Sequence, residues 1–278
     1  MTVMRVHVVS DVHGRADALA RAGDGADALV CLGDLLLFVD YDDHSQGIFP
    51  ELFGAEQATR FIGLRTEGRF EEARALSAEL WATLGGEPRE HIERTVRAQY
   101  ARIFAAMPTP AYLTYGNVDL PALWPEFTRD GHHVLDGQTA EIGGLTFGFV
   151  GGGLRTRYRT PNEVSDEEFA GKVEAVGAVD VLCCHIPPAV PGLLYDVVAR
   201  RFERGARPPW RRSGAPSPAT PCSATSTSRW PPAPGSAAPN ASTSAISAAG
   251  AARSPSICDT SHPGGTTFAK IGPPAFMR

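Results

Sequence analysis

The stretch Val6-His7-Val8-Val9-Ser10-Asp11-Val12-His13-Gly14 constrains this chain more than any other. A short β-branched run of this kind predicts a buried strand. The run ends in a carboxylate and an imidazole separated by a single residue. Where the chain leaves the pleat, Asp11 and His13 can converge on one point. Oxygen and nitrogen donors together suit a borderline transition metal such as Zn, Mn or Fe. Gly14 allows the backbone to turn close to a ligand. Taken alone, the tripeptide reads better as a strand-ending turn with a polar cap.

Repetition changes the reading. Ala28-Leu29-Val30-Cys31-Leu32-Gly33-Asp34 is a second apolar strand that ends in a ligand-type residue. Ala111-Tyr112-Leu113-Thr114-Tyr115-Gly116-Asn117-Val118-Asp119 is a third, and Val179-Asp180-Val181-Leu182-Cys183-Cys184-His185 a fourth. In open α/β sheets the carboxyl ends of the strands form the ligand crevice. That geometry predicts Asp11, His13, Asp34, Asn117 and His185 in one cluster. Five donors exceed what one zinc takes from protein, so two metals bridged by one carboxylate is the economical arrangement.

These segments resemble the calcineurin-like metallophosphoesterases. The matching pieces are Asp11-Val12-His13, Gly33-Asp34, Gly116-Asn117-Val118-Asp119 and the lone His185, in the family's order, over roughly the first two hundred residues. Two departures stand out: Val118 occupies a position where many members carry His, and the family's Gly-His-x-His occurs nowhere in the chain. The resemblance implies an α/β fold built as a β-sandwich flanked by helices. It implies two divalent ions (Mn, Fe or Zn), with Asp34 bridging, Asp11 and His13 on one ion, and Asn117 and His185 on the other. It also implies hydrolysis of a small phosphoester by a metal-activated hydroxide. Asn117 and Asp119 are the expected catalytic residues. Because Val118 cannot donate a proton, acidic leaving groups and phosphodiesters are favoured, and His44 is a candidate substitute acid. The alternative is a binding module that keeps the fold without metals or catalysis. A dinucleotide-binding fold is excluded, because no Gly-x-Gly-x-x-Gly follows the first strand.

Composition narrows the setting. A net charge of −5 carries no nucleic-acid footprint, so no nucleic-acid partner is expected. Of the five cysteines, Cys31, Cys183 and Cys184 fall in predicted buried strands, which favours free core thiols and a cytoplasmic location. The first apolar run is too short for a signal peptide, and no stretch approaches a membrane span. Oligomeric state has no signature.

Along the chain, Arg15 to Asp27 reads as the crossover helix between the first two strands. The polar loop Asp40 to Gly47, which contains His44, leaves a metal-bearing strand end. From about 55 to 107 an apolar stripe at helical spacing predicts an all-helical insert. His133 to Val150 changes to short strands, with Asp136-Gly137 and Gly143-Gly144 as turns. His132 and His133 are expected at the surface before a strand, and Gly151-Gly152-Gly153 in a turn near the site.

After Arg204 the pattern disappears. Residues 205–278 contain no Leu, Val or Glu, and Asp259 is their only acid. Such a segment lacks the apolar surface needed to fold, so irregular coil is expected. The same abrupt change is what a shifted reading frame produces in a GC-rich gene. Regrouping the codons of Cys222 to Trp230 by one shifted base permits Phe-Gly-His-Val-His-Gln-Pro-Leu, which contains the missing Gly-His-x-His. Regrouping Ala241 to Ser247 permits Val-Asn-Val-Gly-His-Phe. The expected organisation is therefore an incomplete metallophosphoesterase domain over 1–204 and a disordered or frameshifted tail over 205–278.

Overall fold

A computed structural model describes residues 4–187 except 86 and 157, then 189, 195–196, 201–202, 205, 242–247 and 267–269. The first half alternates strand and helix: β1 (Arg5–Ser10), α1 (Ala16–Ala22), β2 (Ala28–Cys31), α2 (Ile48–Phe53), α3 (Ala55–Thr66), α4 (Phe70–Thr83), α5 (Pro88–Ala106) and β3 (Ala111–Leu113). A 3-10 turn, Pro121–Glu126, leads to β4 (His132–Val134), β5 (Gln138–Ile142), β6 (Leu145–Val150), β7 (Gly153–Leu154) and β8 (Glu163–Val164). Then follow α6 (Asp166–Val176), β9 (Val181–Cys184), β10 (Tyr195–Asp196), β11 (Arg201–Phe202), β12 (Ser242–Ser247) and β13 (Thr267–Ala269).

Two sheets dominate. The first has the order β12-β1-β2-β3-β4, and the second β13-β9-β6-β5. In the first, β1 to β4 are mutually parallel, and β12 joins the β1 edge antiparallel. In the second, β6 and β13 flank β9 in parallel, while β5 and β6 form a hairpin. The hairpin turn is Gly143-Gly144, both residues at positive φ (64° and 80°), which suits the twist of two antiparallel strands. The fold is thus mixed α/β with parallel sheets.

Side-chain alternation explains the layering, because successive residues of a strand face opposite sides. Val6 and Val8 of β1, with Ala28 and Val30 of β2, face Ile142, Phe147 and Phe149 of β5 and β6 and Val181 and Cys183 of β9, forming a core between the sheets. Val9, Leu29 and Cys31 point the other way, into a cluster with Leu19 of α1 and Val96, Tyr100, Ile103 and Phe104 of α5. Val150, Leu182 and Cys184 face Phe169 and Val176 of α6. The order of layers is helices, sheet, sheet, helix.

The helices between Asp34 and Asn117 begin at Ile48, earlier than the hydrophobic stripe predicts, and they divide in two. Helices α2 to α4 enclose a separate aromatic cluster of Phe49, Phe61, Ala73 and Leu76, joined by Phe38 and Phe53. Helix α5 instead packs on the first sheet beside α1 and completes the crossover from β2 to its parallel neighbour β3. His132 and His133 lie within β4, not before it, and His133 stacks on Tyr112.

Coil does not hold for the whole tail. Ser242–Ser247 pairs with Arg5–Ser10, and Thr267–Ala269 pairs with Val181–Cys183. Both strands cap edges of main-chain N–H and C=O groups, which can be satisfied by backbone bonds alone, without an apolar pattern. The rest of 205–278, residue 205 apart, including Cys222, Cys258 and the segment regrouped as Gly-His-x-His, lies outside the described residues. Cys31, Cys183 and Cys184 are buried free thiols. No helix among the described residues is long and apolar enough to cross a membrane.

Phe149 is fully buried between the sheets. Phe149→Ala is expected to cost about 3–5 kcal/mol, from lost apolar burial and the cavity left behind. Urea denaturation measures this, and an unchanged midpoint would show that the inter-sheet core does not hold the two sheets together.

Candidate metal centre

The ends of β1 and β2 continue their pairing beyond the regular strands. Asp11 N–H donates to Gly33 O (2.9 Å), His13 N–H to Asp34 O (3.0 Å) and Gly14 N–H to Leu35 O (2.8 Å). This zipper holds three non-glycine residues in the left-handed region: Asp11 (φ 56°), His13 (φ 42°) and Asp34 (φ 53°). Each such residue costs roughly 1–3 kcal/mol and persists only where its surroundings over-determine it. Residues of this kind cluster at functional sites, and here all three are ligand types. The β3 end comes close as well. A Cβ on Gly33 would collide with the Gly116 amide, and one on Gly116 with the Asp34 carboxylate, so both crossings require glycine.

The side chains converge. One ligand atom each from Asp11, Asp34 and His185 lie within 4.8 Å of one another. His185 Nε2 is 3.5 Å from Asp34 Oδ2 and 3.2 Å from Asn117 Oδ1. Ser10 Oγ meets His185 Nδ1 at 3.4 Å. Asp34 Oδ1 accepts the Val118 amide at 3.0 Å. His13 Nδ1 donates to the Leu36 carbonyl at 2.9 Å, which fixes the tautomer of the neutral ring and turns Nε2 toward Asp11 Oδ1, 3.8 Å away. All five of the residues expected as ligands therefore stand in one neighbourhood, with Asp11, Asp34 and His185 as its compact centre.

The electrostatics are those of an acidic pocket removed from water. Burial pushes the Asp11 carboxyl above its ordinary range; the Asp34 charge adds to this, while His185 and His13 oppose it. Burial alone would lower the His185 pKa, but the carboxylates of Asp34, Asp11 and Asp119 outweigh it and raise the value.

Asp119, expected among the catalytic residues, is engaged with the main chain. Its carboxylate is fully buried and accepts three backbone amides: Asp34 N–H (2.7 Å), Leu35 N–H (2.9 Å) and Gly116 N–H (3.0 Å). Burial, with the neighbouring Asp34, lifts its pKa to about 6, against the pull of the Gly116 and Leu35 amides. It organises the two loops that carry Asp34 and Asn117. His44 sits on the loop that begins the helical segment, and its Nδ1 meets Thr59 Oγ1 of α3 at 2.9 Å. The compact carboxylate–imidazole centre does not include it.

No protein-family model and no curated protein matches the chain. Among solved structures, TT1561 of Thermus thermophilus is similar at 14% identity, covering 69% of this chain and 72% of that chain, with a TM-score of 0.35. The site stands on its own geometry.

That geometry fits a divalent cation. Two carboxylates and an imidazole present oxygen and nitrogen donors that converge away from water, and a cation would balance the buried negative charge. Outer contacts hold the site in place. Gly152 N–H donates to Tyr115 O (2.8 Å), and Lys172 of α6 reaches Tyr115 Oη and Asp136 Oδ2, both at 2.9 Å. The glycine turn therefore packs directly against the β3 end. Ser10, Thr160 and Asn162 also contact the ligand-type residues or Asp119, and Glu163 backs Thr160; no sequence pattern marked them.

Asp119→Asn removes an acceptor and turns an N–H₂ toward backbone donors. A loss of about 1–3 kcal/mol in urea denaturation is expected, because a buried donor is left unsatisfied. Stability equal to the parent would show that this carboxylate does not hold the loops together.

Proposed function

We propose that this chain carries the site of a metal-dependent phosphoesterase of the calcineurin-like type, acting on small phosphoesters and preferring phosphodiesters. The observation that carries the reading is the convergence of Asp11, Asp34 and His185, with His13 and Asn117 beside them, at the carboxyl ends of β1, β2, β3 and β9. The two face-to-face sheets with outer helices support it.

Asp11 and His13 would hold one cation, Asn117 and His185 a second, and Asp34, between them in sequence and close to both Asp11 and His185, would serve both. The cations would supply positive charge against phosphoryl oxygens and lower the pKa of water toward ~7. The protein's own part is positional. The strained β1 and β2 ends fix the carboxylates before substrate arrives, so no reorganisation is needed as charge develops. Val118 lends its backbone N–H to Asp34 and packs its apolar side chain against the helical core. It has no proton to give a departing alkoxide, so leaving groups that depart as stable anions are favoured.

In this reading the region from 205 is a frameshifted version of the segment that would supply Gly-His-x-His. Without those histidines each cation lacks one ligand, and affinity falls. The chain as written is expected to hydrolyse phosphoesters weakly or not at all, and restoring the frame between Arg204 and Trp210 is expected to recover activity. Sequencing the gene across that junction and assaying both forms with Mn tests this; equal activity of the two would overturn the frameshift reading.

A second expectation concerns substrate. The frame-restored protein with Mn is expected to cleave an activated aryl phosphodiester with a higher kcat/KM than an alkyl monoester. The reverse order would show that another group supplies the proton that Val118 cannot.

A further inference from the structure

An asparagine presents two chemically different faces. Only the amide oxygen ligates a cation, while the nitrogen side donates hydrogen bonds. The partner that captures the nitrogen therefore decides whether the residue is a ligand at all.

In this chain the nitrogen of Asn117 is captured from outside the site. Asn117 Nδ2 donates to Thr160 Oγ1 at 3.1 Å. The Thr160 hydroxyl donates in turn to Glu163 Oε1 at 3.1 Å. A carboxylate only accepts, so the hydroxyl proton is committed to Glu163 and the oxygen's lone pairs are left for Asn117. Glu163 is itself fixed by Thr156, whose hydroxyl and amide donate to its two oxygens at 2.5 and 3.0 Å. The main chain reinforces the arrangement: Asn162 N–H donates to Asn117 O at 3.0 Å, and the Asn162 side chain donates to Asp119 O. With Nδ2 held, Asn117 Oδ1 is the atom left facing His185 Nε2, 3.2 Å away.

We propose that Thr160, backed by Glu163, is a positioning residue that sets the rotation of the Asn117 amide and so makes its oxygen a cation ligand. The proposal rests on the metal-dependent reading above but concerns Thr156, Thr160 and Glu163, which no motif assigns. The pairing also gives this segment a function. The chain leaves β7, passes Thr156 and Thr160, and returns through its parallel partner β8 to α6, so the connection between these two short strands sets the chemistry of the first sheet's strand end.

Two measurements on the full chain test this. In the metal-free protein, proton NMR is expected to show the Asn117 side-chain amide protons in contact with Thr160. Contacts from those protons to the His185 ring instead would mean the amide is reversed, and would overturn the proposal whatever the metal does. In calorimetric titration with Mn, Thr160→Val, which keeps the shape and removes the hydroxyl, is expected to weaken binding about 10- to 100-fold, the usual scale for outer partners of metal ligands. Thr160→Ser is expected to bind as the parent does, and Thr160→Val is expected to have no further effect in an Asn117→Ala background. Equal losses for Val and Ser, or a full loss in the Asn117→Ala background, would assign Thr160 a merely structural role. If neither the chain as written nor its frame-restored form binds Mn, the metal reading is overturned, while the amide contacts still decide the orientation.

Discussion

The structure depends on a buried carboxylate held by main-chain amides. Asp119 gathers the amides of Asp34, Leu35 and Gly116, and so ties the loop after β2 to the loop after β3. A carboxylate in a dry interior is unfavourable unless hydrogen-bonded, and three main-chain donors supply that compensation. Asp34 can then occupy its left-handed backbone conformation, and Gly116 can pass against its side chain. The β2–β3 ladder sets the spacing of the two strands, and this anchor extends that order into the loops that carry Asp34 and Asn117.

Around that anchor the layers divide the work. The inter-sheet core brings β9, and with it His185, onto the same end as β1 and β2. The outer helices cover the outer faces of the sheets, with α5 and α1 on one side and α6 on the other. Helix α6 reaches further: Lys172 connects it to Asp136 and to Tyr115, which stands shortly before Asn117 on the β3 end. The aromatic cluster of α2 to α4 has its own small core, joined to the rest through Phe38 and through Ile48 and Leu52 of α2.

The placement of Asp11, His13, Asp34, Asn117 and His185 was legible because each follows a β-branched or apolar run, and strand ends in parallel sheets share one edge. The anchoring part played by Asp119 was not legible, for a physical reason. An acid next to ligand-type residues carries no mark that distinguishes a reacting group from an anchor, since the difference lies in burial and in which amides point at it. Thr160 and Glu163 were invisible in a different way: they sit in an irregular segment with no period, and only the hydrogen-bond direction reveals them. The strand at Ser242–Ser247 escaped because main-chain pairing leaves no trace in side-chain pattern.

Cys31 sits at the base of this arrangement, on β2 behind Asp34. Burial pushes its thiol to about 12, and the negative fields of Asp119, Asp11 and Asp34 add to the rise. The thiolate is the reactive form of cysteine, so in the folded molecule this sulfur is silent toward alkylating and oxidising reagents at neutral pH. It becomes reactive only when β2 leaves the sheet. The chain thus carries an internal clock: where reagent outpaces reclosing, the rate at which Cys31 is labelled reads how often β2 opens behind Asp34.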